Sequence, residues 1–280
     1  MTPTLVRNHR GHRRTDAAPV DPGTRARDWA EIQERMLSPL YEAVYDRLEV
    51  GAGTRMLSLH CGSGLAMLIA AARGARVTGV DTDRDRLALA HARLTPDEDR
   101  GGAPARLVHG PVGAAAPADG SPYTLLTAFD PIGCTPGDSD GLGPALESAV
   151  VLASRGATVV LAGWGPPERC ATAGVLAVAE RLGGGRTDAG RSARRDDLED
   201  VAARSGLRPD GSGRVSCPFG YADLDSAVRG LMSTGLFDRA VRATDAFQVE
   251  KEVAEALHPY LRPDGTVWMP NVFRYLVCVV

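Results

Sequence analysis

The feature that most constrains this chain is a short strand that runs through a glycine-rich turn directly into an apolar helix. Residues Arg55–Leu59 lead into His60-Cys61-Gly62-Ser63-Gly64, and the apolar run Leu65–Ala72 follows without a spacer, cut at Arg73. Such a turn brings backbone amides to a ligand and leaves a helix N-terminus pointing at it. From Thr54 to Val160 the same grammar repeats. Further β-rich runs at Arg76–Val80, Arg106–His109, Tyr123–Phe129 and Thr158–Ala162 are separated by helical patterns at Arg84–Leu94 and Leu142–Ala153. This alternation predicts βαβ units on a parallel sheet. The Leu65–Ala72 helix should sit at its crowded centre, and the stripe Leu142, Ala145, Leu146, Ala149, Val150 and Ala153 should pack on it.

Composition supports one large α/β domain. A chain of 280 residues, 44% hydrophobic and 24% charged, can bury a sizeable core. No apolar run reaches the roughly 20 residues of a spanning helix, so no membrane role is expected. A net charge of −3 lacks the concentrated excess of Lys and Arg that phosphate neutralisation needs, which points to a small-molecule partner and away from nucleic acid. Cys61, Cys134, Cys170, Cys217 and Cys278 are odd in number and widely spaced, so they read as reduced thiols and not as a disulfide framework or a metal site. With no apolar leader at the start, the expected location is cytoplasmic.

Residues 1–27 carry six arginines without a periodic apolar face and are expected to be a disordered basic tail. Residues 28–53 read as helices, with Pro39 marking a break, and 54–280 as the main domain. Beyond Trp164 come a helix near Ala171–Leu182, a Gly183–Gly185 loop, a helix at Asp196–Ser205 ending at Gly206 and a strand at Arg214–Cys217. Helical patterns at Leu224–Met232, Leu236–Thr244 and Phe247–Leu257 precede the closing strand Val272–Val279. We therefore expect residues 217–264 to form a helical lid over the substrate.

Chemistry concentrates at strand ends. Asp81 closes the second strand seventeen residues past Gly64, placed to accept hydrogen bonds from the two hydroxyls of a ribose. With Gly62 and Gly64 it predicts a nucleoside-containing cofactor. Met67 stands where a dinucleotide fingerprint needs its third glycine, which disfavours a nicotinamide. Asp130 ends the fourth strand, where open α/β sheets place reactive groups, and a plain Asp-Pro turn is the alternative. His60, at the ligand-facing turn, is either a general base or a satisfied histidine under a loop.

Met56 through Gly64 and Thr78-Gly79-Val80-Asp81 resemble the first two motifs of the class I S-adenosylmethionine (SAM) dependent methyltransferases. Tyr123–Phe129, Leu152–Val160 and the segments Pro259–Gly265 and Asn271–Tyr275 are similar to later parts of that family, and the likeness covers most of residues 29–280. It implies an α/β, doubly wound, mostly parallel seven-stranded sheet with a helical lid. It further implies SAM as cofactor, S-adenosylhomocysteine as product, no metal, and methyl transfer to a small molecule of specialised metabolism. Tyr41, His60, Gly62, Gly64, Asp81, Thr82 and Phe129 become cofactor contacts, with His60 and Asp130 catalytic. The chain departs from the family at Ser58, His60 and Pro111, which stand in place of an acid, a glycine and an acid. Those departures keep open an enzyme of the same fold that cyclises or rearranges its substrate, with SAM a fixture or absent. A non-enzymatic binding protein is the third reading.

Overall fold

The structure, a computed structural model, describes residues 21–95, 105–117, 119–133, 139–184 and 197–280. Seven strands form the main sheet: β1 (Arg55–Leu59), β2 (Arg76–Asp81), β3 (Arg106–His109), β4 (Tyr123–Ile132), β5 (Ala153–Trp164), β6 (Arg208–Ser216) and β9 (Val272–Val279). Their order is β3-β2-β1-β4-β5-β9-β6. The first five run parallel, and β9 lies antiparallel between β5 and β6. Parallel pairing requires crossovers, and α3 (Leu65–Ala72), α4 (Arg84–Leu94) and α5 (Leu142–Val150) supply them.

Side-chain alternation along the strands builds two cores. Met56, Val77, Leu125 and Val160 face α2 (Ser38–Arg47), α3, α4 and α6 (Thr172–Leu182), whereas Leu57, Val80, Leu126 and Val159 face α5 and α7 (Asp197–Arg204). The sheet is thus covered on both faces, which is why its strands read as continuous apolar runs. The first core extends over α8 (Leu224–Met232) and α10 (Ala246–Leu257), which with α9 (Asp238–Ala243) and the pair β7 (Phe219–Tyr221) and β8 (Val267–Met269) are inserted between β6 and β9.

Several boundaries differ from the sequence reading, each for a physical reason. Pro22–Asp28 forms a helix, α1, because Asp21 accepts the Thr24 amide and Pro22 stands at a first-turn position. Residues 22–27 of the tail expected over 1–27 are therefore helical, and residues 1–20 lie outside the described residues. Trp29–Gln33 then winds as a π-turn and Glu34–Leu37 as a 3-10 turn before α2. α5 stops at Val150, so β5 begins at Ala153 and not at Thr158. β6 starts at Arg208, since the β9 backbone offers a partner to a polar, glycine-bearing segment with little strand propensity of its own. β7 and β8, three residues each, are too short to show a period. Cys134 and Gly185 lie outside the described residues.

The glycine-rich turn lies flat on β2 because residue 79 has no side chain. A Cβ there would run into Met67 Sδ and stand 2.7 Å from Cys61 Sγ, and both side chains are buried. Gly79→Ala should cost about 1–3 kcal/mol by overpacking. Urea unfolding of the two proteins measures it, and a cost near zero would show that α3 can shift without penalty.

Candidate functional site

β1 ends at Leu59 and the chain reverses through three residues in the left-handed region: His60 at φ 48°, Gly62 at φ 57° and Gly64 at φ 80°. Only at His60 does a side chain sit in that conformation, and it projects into solvent. The turn is held from below. The Cys61 amide donates to Val80 O at 3.1 Å, and the Gly64 amide to Cys61 O at 3.0 Å.

Asp81, 7% exposed, closes the arrangement from β2. Its Oδ2 accepts the Gly62 amide at 2.8 Å, and its Oδ1 accepts the Asp83 amide at 2.9 Å. The cap of α4 is Asp83, whose carboxylate takes the Asp85 and Arg86 amides at 3.0 Å, so Asp81 is not needed as a cap. Each Asp81 oxygen keeps a second lone pair beyond its backbone bond. Thr82 is exposed, and its carbonyl lies 3.2 Å from His109 Nε2.

The segment before α2 lies across this turn. A Cβ built on Gly62 would meet Glu34 Oε1 and Trp29 Nε1, both at 3.3 Å. Glu34 is buried at 3% exposure. Its carboxylate accepts from the Ser63 hydroxyl in a short hydrogen bond, from Arg93 at 2.7 Å, and from the Leu65 amide at 3.4 Å. Arg93 also donates to Ser63 O at 2.9 Å, to Ser63 Oγ at 3.0 Å and to Ala30 O at 3.5 Å. The Trp29 indole N–H is buried and has no hydrogen-bond partner. Arg86 stacks on the Trp29 ring, 4.4 Å from its centroid.

Tyr41 and Phe129 lie deeper. Their rings touch at 4.9 Å, Phe129 also meets Tyr45 at 5.8 Å, and all three are buried in the first core. Burial, helped by the Glu34 carboxylate, pushes the Tyr41 hydroxyl well above its ordinary range. Asp130 is exposed at the end of β4, inside the irregular stretch between Ala128 and Ile132. It lines a cavity of about 140 Å³ together with Trp29, Gln33, Trp164, Phe219 and Phe273. Trp29 is therefore a wall shared by the cavity and the turn. The structure thus brings Gly62, Asp81 and Thr82 together, sets Asp130 in the cavity, and puts Tyr41 and Phe129 beneath them.

Sequence reasoning missed Glu34 and Arg93. The available signal was an acidic residue between Ile32, Met36 and Leu37 in an otherwise apolar stripe. Among the described residues, no three His, Cys, Asp or Glu side chains converge to hold a metal, and no helix is long and apolar enough to cross a membrane.

No family model and no curated protein matches the sequence. Solved structures do match the fold. A candidate methyltransferase from Bacillus halodurans is 13% identical, covering 85% of this chain and 97% of that one, with a TM-score of 0.53. YjhP from E. coli is 17% identical over 91% of this chain and 98% of that one, at 0.54. YcgJ from Bacillus subtilis is 13% identical over 85% and 97%, at 0.52. The chain has the class I methyltransferase-like Rossmann fold.

Two outcomes follow from this geometry. Arg93→Met strands a buried carboxylate, so it should destabilise the fold by about 2 kcal/mol, less than the loss at a fully buried pair because Arg93 keeps 23% exposure. Urea unfolding reads it, and an unchanged midpoint would mean that Glu34 is solvated. Burial also raises the thiols of Cys61, Cys170, Cys217 (to about 12) and Cys278 (to about 11). A raised thiol holds less thiolate at pH 8, so iodoacetamide should spare these four until the protein is unfolded. Peptide mass mapping decides, and rapid native labelling of Cys61 would contradict the buried turn.

Proposed function

We propose that this chain binds SAM at the Gly62–Asp81 turn and transfers a methyl group to a small, largely apolar acceptor held in the cavity beside Asp130. The observation that carries the reading is the shared wall: Trp29 abuts Gly62 on one side and lines an aromatic cavity at the ends of β4 and β5 on the other. Ligands of open α/β sheets bind at that edge. The residues fit an adenosyl cofactor. Asp81 offers a second lone pair on each oxygen to ribose hydroxyls, Gly62 puts no side chain of its own into the turn, and the Trp29 N–H is a donor awaiting an acceptor.

When bound, SAM supplies a methyl carbon activated by positive sulfur. The chain's own work is then alignment. Trp164, Phe219 and Phe273 form an apolar wall that holds an acceptor and excludes water. Asp130 takes the proton when the acceptor must lose one, and His60, at the exposed edge of the turn, is the second candidate. A metabolite of specialised metabolism suits so apolar a cavity.

One observation favours a second reading, in which the fold works on its substrate without methyl transfer. Glu34 places a carboxylate on the turn, and the family's acid is Ser58, buried in β1. An enzyme that cyclises or rearranges a substrate needs only the cavity.

Calorimetric titration with S-adenosylhomocysteine and the conversion of SAM in the presence of acceptors test the proposal. Asp81→Ala should weaken binding about tenfold or more, from the lost charge-assisted hydrogen bonds. Asp130→Asn should lower turnover by about 100-fold with affinity unchanged. Equal affinity in Asp81→Ala, or no binding by the wild type at millimolar cofactor, would refute the cofactor site. Product formation from a substrate without SAM consumption would select the second reading.

A further inference from the structure

We infer that Ser63, the Leu65 amide and Arg93 form a receptor for a ligand carboxylate, which Glu34 fills as an internal stand-in, and that the amino-acid end of the cofactor takes its place. The inference rests on the SAM reading above and goes further, to what the N-terminal segment does. Three observations on different elements carry it. The first is the donor set. A serine hydroxyl, the amide opening α3 and a guanidinium converge on one carboxylate in a buried place, and those are the groups that recognise a free carboxylate. The glycines at 62 and 64 give the donors their approach.

The second is the orphaned donor. Trp29 Nε1 is buried without a partner and touches the same face of Gly62 as Glu34 Oε1. A buried N–H left without an acceptor is costly. Glu34 uses its oxygens on Ser63, Leu65 and Arg93 and leaves the indole unserved, so the stand-in satisfies only part of the site. A ligand carrying more than one polar group would satisfy all of it.

The third is the backbone that carries Glu34 and Trp29. Trp29–Gln33 is wound with π geometry and Glu34–Leu37 with 3-10 geometry, one directly after the other. Over-wound and under-wound turns are poorer in hydrogen bonding than α-helix and recur at hinges. Glu34 opens the 3-10 turn while Trp29 belongs to the π-turn before it, so rewinding of Glu34–Leu37 withdraws the carboxylate and leaves Trp29 against Gly62. Ser63 and Arg93, anchored on the turn and on α4, stay where they are.

An occupied receptor lowers apparent affinity by the fraction of molecules in which it is free. Glu34→Gln removes the competing charge while keeping the shape. S-Adenosylhomocysteine, which has the amino-acid carboxylate, and 5′-methylthioadenosine, which lacks it, are titrated calorimetrically into wild type and variant. Backbone hydrogen exchange of residues 29–37 is followed in the wild type with each compound. We expect Glu34→Gln to bind S-adenosylhomocysteine about tenfold more tightly, with 5′-methylthioadenosine unchanged. We also expect S-adenosylhomocysteine, and not 5′-methylthioadenosine, to speed exchange in 29–37. Unchanged or weaker S-adenosylhomocysteine binding in the variant would overturn the stand-in and make Glu34 a structural prop or a partner of the ligand's ammonium. Should Glu34→Gln fail to fold, the wild-type exchange decides: binding without faster exchange overturns the inference. Failure of both compounds to bind either protein would fell the cofactor reading itself, a result distinct from binding without displacement.

Discussion

The buried Asp81 carboxylate fixes the geometry on which the rest of this site depends. It ties the amide of Gly62, from the turn after β1, to the amide of Asp83, at the start of α4. Two chain reversals on neighbouring strands are thereby locked by one side chain, and the left-handed residues between them have little freedom to relax. A carboxylate accepting two backbone amides is a strong local constraint because its charge strengthens both hydrogen bonds and its burial keeps most water away. Gly79 supplies the steric half of the same constraint by letting Cys61 and Met67 lie against β2.

The charged groups above that lock behave differently. Glu34 and Arg93 form a pair in which one member is almost wholly buried and the other keeps contact with water. Burying such a pair removes both from solvent at a cost comparable to their attraction, so its worth to stability is small while the cost of removing one partner is large. A pair of that kind fixes the register of the segment that carries it. Here it sets Trp29 against Gly62 and so makes the wall between turn and cavity.

That wall is also joined to the insertion between β6 and β9. Arg25, from α1, donates to both oxygens of Asp238 at 2.8 and 3.0 Å, and Arg86 adds a contact to Ser233 O at 3.4 Å while stacking on Trp29. The connection between α8 and α9 contributes Thr234 and Leu236 to the cavity. Arg25 and Arg86 therefore anchor the N-terminal segment to the stretch from Ser233 to Asp238. The Arg25–Asp238 pair is partly exposed, so salt weakens it.

The parallel sheet, its doubly covered faces and the turn with Asp81 were legible in the sequence, because they rest on local patterns. Apolar runs alternate with helical periods, and glycine and aspartate stand at strand ends where backbone geometry needs them. The insertion between the last two strands could also be placed, from its change of grammar. The origin of β6 at Arg208 and the β7–β8 pair were not legible, since partner strands distant in the chain create them. The same holds for the site's upper half. Nothing near Glu34 in sequence announces Ser63 or Arg93, twenty-nine and fifty-nine residues away. Tyr41 and Phe129 likewise carry no sign of whether they face a ligand or each other; packing of α2 on β4 puts their rings in contact. The sequence by itself determined the sheet and the glycine turn, because periodicity and backbone freedom are local properties. Only the tertiary structure decided what lies across that turn, because the burial of a carboxylate depends on which donors the fold brings to it.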